Sequence, residues 1–243
     1  SGNTCPAQPA VIGVGGTFSC SFDGLVQGDA GDPDHVDTVS AAAVDDEGNS
    51  ATGADDASVS FADTPPSISV AKTPSVGSVP EPGGTVTFTV EVANLSVEPV
   101  TLASLTDTAF GNLLNAGNGA VSNNTCPAQP TLIPLGGTFS CSFDAFLAGD
   151  AGDPLHVNTV TATVSDDEGG IAFDDDDALV GFADVLPTAT AEKSPSLGSV
   201  PEPGGTVTFT VEVGNTSVEP VTLTGLTESV FGKLLEPANA AIS

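Results

Sequence analysis

The sequence predicts an all-β protein made of two-sheet sandwiches, and three observations favour this class. The run over residues 85–92 alternates valine or phenylalanine with threonine or glutamate, which is the two-residue period of a half-buried strand. Glycine pairs such as Gly83-Gly84 stand directly before these runs, where turns are expected. No stretch has the 3.6-residue period and capping residues of a helix, although residues 110–114 can form one helical turn.

The predicted strands, in chain order, cover residues 17–22, 57–61, 85–92 and 206–213. In the first of them Phe18, Cys20 and Phe22 share one face, which we expect to be buried. The last is a copy of the third and carries Phe209 at the position of Phe88. Short alternating strands between glycine and proline turns predict sandwiches of Ig-like topology with Greek-key connections.

The sequence repeats itself at an offset of 121 residues, without insertion or deletion. Cys5 and Cys20 recur as Cys126 and Cys141, and the Pro-Glu-Pro-Gly-Gly segment at 80–84 recurs at 201–205. This period is longer than a solenoid unit and has the length of a whole domain. The repeat therefore predicts a string of similar domains, as in a structural or adhesive array.

Proline-containing segments mark the expected domain boundaries. Residues 63–66 and their copy at 184–187 fit short, stiff linkers, because proline cannot donate to a sheet. We predict that residues 67–186 form one complete unit, between the C-terminal half of a preceding unit at 1–64 and the N-terminal half of a following unit at 188–243. Since half a sandwich leaves its face and edges open, identical copies are expected to complete one another head to tail, unless the same chain continues.

Composition narrows the functional classes. The net charge of −29 with only three basic residues argues against nucleic acid and anionic membranes as partners. The same charge favours bound divalent cations or a salty medium. Tryptophan and tyrosine are absent, which disfavours an enzyme pocket or a sugar-stacking platform. The sequence contains no run of 18 apolar residues, so it predicts no membrane-spanning helix.

The four cysteines predict two disulfides, Cys5–Cys20 and Cys126–Cys141, because the same spacing of fifteen occurs in both copies. Disulfides indicate an oxidising compartment, so we expect an extracellular or cell-surface protein. The alternative is that these cysteines are buried free thiols.

Acidic turns are the candidate metal site, and calcium is the expected ion, because it takes six to eight oxygen ligands in tolerant geometry. The candidate ligands are Asp29, Asp32, Asp45, Asp46, Glu47, Asp55, Asp56, Asp150, Asp153, Asp166, Asp167, Glu168, Asp174, Asp175, Asp176 and Asp177. A turn at Gly48 would bring two of these acidic groups together at the base of one hairpin. The alternative is that they are solvated turns of an acidic protein.

Lys72 and Lys193 lie on the inward face of their predicted strands, which is unusual for a lysine. We expect each amine to reach solvent from a strand end. An isopeptide bond from such a lysine to an asparagine or aspartate side chain is disfavoured, because the needed asparagine is missing near the last strand, where only aspartates occur. His35 and His156 are expected to be structural, since no nucleophile or acid stands at a catalytic spacing.

Several of these features together resemble the bacterial Ig-like conserved-repeat domains. They are Lys72 in a first strand, a Pro-Gly-Gly turn before a strand ending at Asn94, and Leu-Thr-Asp at 105–107. The second copy departs from this pattern with Glu228 in place of Asp107. Such domains recur in tandem in very large surface and secreted proteins, so the resemblance implies a stalk, adhesin or fibre.

The expected function is structural: tandem units, locked by disulfides and stiffened by calcium, that build an extracellular fibre or cell-surface stalk. The alternative is an adhesin module that recognises a glycan or protein through its acidic loops. An enzyme is not expected, because no nucleophile or acid–base constellation stands out.

Overall fold

The alternating segments fold as strands in a computed structural model that describes residues 2–6, 10–126 and 130–235. Within these ranges the chain forms fifteen strands and no helix, which confirms the all-β class. Residues 236–243 of the predicted C-terminal segment lie outside the described part. The strands are β1 (His35–Val44), β2 (Ser50–Val59), β3 (Ile68–Pro74), β4 (Ser78–Pro80), β5 (Gly83–Asn94), β6 (Val100–Asp107), β7 (Gly111–Asn112), β8 (Thr131–Ile133), β9 (Thr138–Ala148), β10 (His156–Ser165), β11 (Ile171–Ala183), β12 (Ala189–Pro195), β13 (Phe209–Asn215), β14 (Thr227–Glu228) and β15 (Gly232–Lys233).

Two sheets make up the central part of the chain. One has the strand order β3-β5-β9, and the other has the order β4-β11-β10-β6-β7, with β8 also paired to β6. The short strand β4 runs parallel to β11, whereas the other pairs in both sheets are antiparallel. Strands from both ends of this segment therefore share each sheet, so neither sheet forms without long-range pairing.

The hydrophobic core lies between these two sheets, in a sandwich-like arrangement. On β5, Val86, Phe88, Val90 and Val92 are completely buried, while the threonines and glutamate between them face outward. The alternation predicted for this strand is therefore confirmed. The buried hydrophobic residues in the described part of the chain all fall between Ile68 and Val180, so the core belongs to the central segment.

The Pro-Gly-Gly turn before β5 has a steric reason. Gly83 has a φ of +142°, which side-chain-bearing residues rarely adopt, and a Cβ there would run into the backbone carbonyl of Leu147 on β9. Glycine thus lets β5 begin in close contact with its neighbour. The turn also places Glu81 at one end of the central segment.

The flanking segments expose the residues whose copies form the core. Val39 is 63% exposed, although its copy Val160 is fully buried, and Phe209 is 44% exposed, although its copy Phe88 is fully buried. The hairpin β1–β2 and the pair β12–β13 repeat the pairing of β10–β11 and β3–β5 in the central segment. Each flanking segment therefore keeps one of these strand pairs but presents an open apolar face.

Two local predictions are wrong. Residues 17–22 do not form a strand, because the strand that pairs with their copy in the central segment, β5, has no counterpart beside them. Residues 110–114 form turns around β7 rather than a helical turn, because β7 pairs with β6. In both cases the hydrogen-bonding partner, rather than the local pattern, decides the conformation.

Both predicted disulfides are present, Cys5–Cys20 and Cys126–Cys141, each with Cα atoms 4.8 Å apart. Cys126 and Cys141 are buried in the core, and their bridge fastens the segment before β8 to β9. A protein with two such bridges belongs in an oxidising environment. In the described part of the chain, no helix has the length and apolar character needed to cross a membrane.

Candidate functional site

Six carboxylates gather where the segment before Pro65 meets the central sheets. We call them the first junction cluster: Asp29, Asp63, Glu98, Asp166, Asp167 and Glu168. They form two overlapping groups that share Glu98 and Glu168, and within each group the candidate ligand oxygens lie within 4.8 Å of one another. Oxygens this close repel one another unless a cation lies among them.

Four separate stretches of the chain supply this cluster. Asp29 lies in the loop before β1, and Asp63 precedes the Pro65-Pro66 linker. Glu98 comes from the β5–β6 turn, and residues 166–168 form the β10–β11 turn. The cluster therefore joins a flanking segment, a linker and the central segment.

Asp166 shows the feature most suggestive of a missing ligand. The residue is only 8% exposed, and its Oδ1 accepts a hydrogen bond from the backbone N–H of Gly170 at 2.6 Å. Its Oδ2 is buried and has no hydrogen-bond partner. In the other copy, Asp45 Oδ2 accepts from Asn49 Nδ2 at 2.9 Å, so the change from asparagine to glycine removes that partner. A buried carboxylate oxygen without a donor is costly, and a cation would satisfy it.

The electrostatics of the first junction cluster agree with this geometry. Burial, followed by the negative charges of Asp29 and Asp167, raises the pKa of Glu98. Burial likewise raises the pKa of Glu168, with a further contribution from the charge of Asp167. The surrounding residues therefore compensate only part of the negative charge of this cluster.

A second cluster lies at the other end of the central segment. This second junction cluster consists of Glu81, Asp150, Asp184 and Glu219. Asp150, Asp184 and Glu219 are the copies, at an offset of 121, of Asp29, Asp63 and Glu98 in the first cluster. The same three positions therefore meet at both junctions.

Glu81 organises the second junction cluster. Its oxygens accept hydrogen bonds from the backbone N–H groups of Val185 and Ala151, which lower the pKa of Glu81 to about 2. The pKa values of Asp150 and Glu219 are raised because both side chains face the Glu81 carboxylate. Glu81, Asp150 and Glu219 line a cleft of about 390 Å³ between the central and following segments.

Sequence reasoning named only part of these clusters. Asp29, Asp150, Asp166, Asp167 and Glu168 were expected as ligands, and the structure brings them into the junctions. The residues missed by sequence reasoning are Asp63, Glu81, Glu98, Asp184 and Glu219. The sequence did contain a sign of these residues. Asp63, beside a linker, and Glu98, in a turn, are both acidic again in the second copy of the repeat.

Of the remaining predicted ligands, Asp153 lines the cleft of the second junction cluster, and the others lie outside both clusters. Asp32 and Asp153 close their own turns by accepting from the backbone N–H groups of Asp29 and Asp150. The turn residues 45–47 and the strand residues Asp55 and Asp56 stand apart, because Asp55 and Asp56 pair with Val39 and Thr38 in the middle of the β1–β2 hairpin and not at its turn. Asp56 instead accepts from the Thr38 hydroxyl at 2.7 Å.

The run Asp174–Asp177 lies on β11 rather than in a loop. Asp174 and Asp176 accept hydrogen bonds from the backbone N–H groups of Val70 and Lys72 on β3, at 2.8 and 2.7 Å. Asp177 accepts from the Thr159 hydroxyl at 2.6 Å, and Asp175 is exposed. This run therefore connects one sheet to the edge of the other.

Lys72 does not reach solvent, so that expectation is wrong. Its side chain is fully buried, and its Nζ lies 2.5 Å from Oδ2 of Asp107. Asn158 is 1% exposed and donates to both oxygens of Asp107 at 3.0 and 2.9 Å. In the second copy, Lys193 Nζ lies 2.8 Å from Oε1 of Glu228, and this pair is partly exposed.

No protein-family model matches this sequence, and no curated protein resembles it significantly.

Proposed function

We propose that this chain is a structural tandem-repeat module of an extracellular fibre or cell-surface stalk. Its units are Ig-like sandwiches that assemble head to tail, either between identical copies or along one longer chain. The observation that carries the proposal is the pair of open faces on residues 10–64 and 188–235. These faces consist of copies of the two halves of the central core.

The complementarity of these faces follows from the pairing in the central segment. There β9, from the second half, pairs with β5, from the first half, along eleven residue pairs. Phe22 is 63% exposed, and its copy Phe143 is fully buried against Phe88, with ring centroids 5.4 Å apart. Phe209 is the copy of Phe88, so Phe22 of one copy and Phe209 of another would stack in the same way.

The strand order supports the Ig-like assignment. A three-stranded sheet faces a larger one, and a short strand near the N-terminal end crosses to pair in parallel with the last strand of the larger sheet. Two packed sheets of mainly antiparallel strands support the proposal of an Ig-like Greek-key sandwich. The two disulfides support an extracellular location.

Calcium is the proposed ion at both junctions. Carboxylates from four stretches of the chain converge at each junction, and hard oxygen ligands in irregular geometry suit calcium better than magnesium. Asp166 Oδ2 supplies the strongest support, because it is buried and has no donor. A bound ion would link consecutive units and restrict bending between them.

Assembly tests this proposal. The purified chain is expected to show concentration-dependent growth in analytical ultracentrifugation and unbranched beaded filaments in electron microscopy, because a head-to-tail interface does not close. Phe22→Asp should abolish this growth by placing a charge in the joined core. The matched control is Phe173→Asp, at a site that is 73% exposed on the central segment, and this variant should assemble normally.

A chain that stays monomeric at all concentrations, with its open faces intact, would contradict head-to-tail completion between copies. Equal assembly of Phe22→Asp and the native chain would show that growth uses another surface. Crosslinked-peptide mapping then identifies that surface, because residues 10–64 and 188–235 must contribute the crosslinks if the proposal holds.

A further inference from the structure

A lysine, an aspartate and an asparagine meet in the interior between the two sheets. Lys72 Nζ and Asn158 Nδ2 contact the same oxygen, Asp107 Oδ2, at 2.5 and 2.9 Å. Lys72 Nζ also donates to the backbone carbonyl of Asn158 at 3.1 Å. We propose that Lys72 and Asn158 form an isopeptide bond between Nζ and Cγ, with Asp107 carrying the proton and ammonia leaving.

The surroundings favour a neutral, nucleophilic amine. The side chains of Lys72 and Asp107 have no exposed surface, and the Phe88 ring lies 4.9 Å from Nζ. Phe110 and Phe143 pack on Phe88 and extend this apolar wall. Burial lowers the pKa of Lys72, although the hydrogen bond and charge of Asp107 oppose it. Transfer of one proton from Nζ to Asp107 removes both buried charges and leaves an amine lone pair.

Asn158 is placed to be the electrophile. Its Oδ1 is buried and lacks a hydrogen-bond partner while Nδ2 faces Asp107. Once Asp107 is protonated, a half-turn of the amide lets Oδ1 accept the new O–H bond. That hydrogen bond draws electron density from Cγ, which is the atom the amine attacks.

The step balances without a co-reactant. The Nζ lone pair forms a bond to Cγ of Asn158, and the electron pair of the Cγ=Oδ1 π bond moves to Oδ1. When that pair returns, the Cγ–Nδ2 bond breaks. Nδ2 leaves with its two hydrogens and takes a third, which Asp107 relays from Nζ, so that ammonia departs. Asp107 took one proton from Nζ before the attack and ends protonated, so all protons are accounted for and no atom is oxidised or reduced.

The bond would connect β3 in one sheet to β10 in the other. The sequence disfavoured an isopeptide bond because it has no asparagine near the last strand. The asparagine lies instead on β10, in phase with the buried Val160. The copies differ at this group. Asp37 stands at the position of Asn158, and Glu228 stands at the position of Asp107. Lys193 therefore serves as the comparison lysine.

Intact-mass spectrometry of the folded chain tests the proposal. Each disulfide lowers the mass by about 2 Da. An isopeptide bond adds a deficit of about 17 Da. The native chain is expected to show this additional deficit, and digestion with a glutamate-specific protease should give one branched peptide in which Lys72 is joined to Asn158. Lys72→Arg and Asp107→Asn should restore the full mass, whereas Lys193→Arg should keep the deficit.

The Asn118-Gly119 pair provides a necessary check, because ring closure at an Asn-Gly bond also releases ammonia. A deficit that survives Lys72→Arg, or that maps to Asn118, overturns the proposal. A native chain of full mass overturns it as well, provided that its far-UV circular dichroism shows folded sheet. Should Lys72→Arg fail to fold, the branched peptide from the native chain decides the matter alone.

Discussion

The backbone N–H of Lys72 donates to Oδ2 of Asp176 at 2.7 Å, so a side chain of one sheet holds the edge strand of the other. Asp174 does the same for the N–H of Val70 at 2.8 Å. Strand β3 thus pairs with β5 along one side and meets carboxylates of β11 along the other. An edge that would otherwise be open is covered, which limits pairing with foreign strands.

This contact predicts a specific loss of stability. Asp176→Ala should lower the free energy of unfolding of the central segment by about 1.5 kcal/mol, because a hydrogen bond to a charged acceptor is lost. Urea denaturation followed by circular dichroism measures the change. Asp175→Ala is the matched control, since Asp175 is exposed on the same strand, and it should change stability by less than about 0.5 kcal/mol. Equal effects of the two substitutions would assign the loss to the β11 backbone.

The sequence correctly predicted which face of strand β5 is buried. It did not predict the clusters that form between residues far apart in the sequence. The burial of Val86 and Phe88 follows from a two-residue period, which any strand with one buried face obeys. Residues 17–22 have the same period but no partner strand beside them, so the pattern alone was insufficient. Local patterns thus specify which residues turn inward, whereas strand formation also needs a partner.

The candidate site shows the same limit. Glu98 and Asp29 are nearly 70 positions apart in the sequence, and only folding brings their carboxylates together. Asn158 was overlooked because β10 reads as an ordinary alternating strand whose inward positions include one polar residue. The alternating pattern nevertheless places both Asn158 and Lys72 on the inward faces of their strands. A buried asparagine needs hydrogen-bond partners, so this pattern indicates a buried polar group.

Removal of the Cys126–Cys141 disulfide should destabilise the central segment. Both residues are buried, and the bridge closes a loop with a sequence separation of 15. Replacing both cysteines by serine should cost about 3 kcal/mol in the chain-entropy description. Serine at Cys5 and Cys20 should leave this transition unchanged, because that bridge lies outside the core. Differential scanning calorimetry separates the two variants, and identical melting temperatures would contradict the assignment.

Calcium should stabilise the chain through the junction clusters. With free calcium at about 100 times its dissociation constant, the bound state gains about 2.7 kcal/mol. We expect a higher melting temperature in calcium than in EDTA, measured by calorimetry at equal ionic strength so that charge screening is matched. Glu98→Gln should reduce the binding seen in isothermal titration calorimetry, while Asp175→Asn should not. Equal melting temperatures in calcium and EDTA would count against the site.

The Gly170 position offers a second test of the calcium site. A Cβ at Gly170 would collide with Oδ2 of Asp166, the buried carboxylate oxygen that accepts no hydrogen bond. Gly170→Asn should therefore displace that carboxylate, and the new amide can take the hydrogen-bonding role that Asn49 plays for Asp45. We expect weaker calcium binding by titration calorimetry. Undiminished affinity would show that Asp166 is not a ligand.

The pair Lys193–Glu228 should make the C-terminal segment sensitive to acid. The hydrogen bond from Lys193, followed by those from the backbone N–H groups of Phe231 and Val230, lowers the pKa of Glu228 from 4.5 to about 2. A lowered pKa means that the contact stabilises the folded segment above pH 4.5 and loses this effect as pH falls toward 2. Carbon-detected NMR of the Glu228 carboxyl should show a midpoint near 2, and Lys193→Gln should move that midpoint upward. A native midpoint near 4.5 would mean that the pair does not persist in solution.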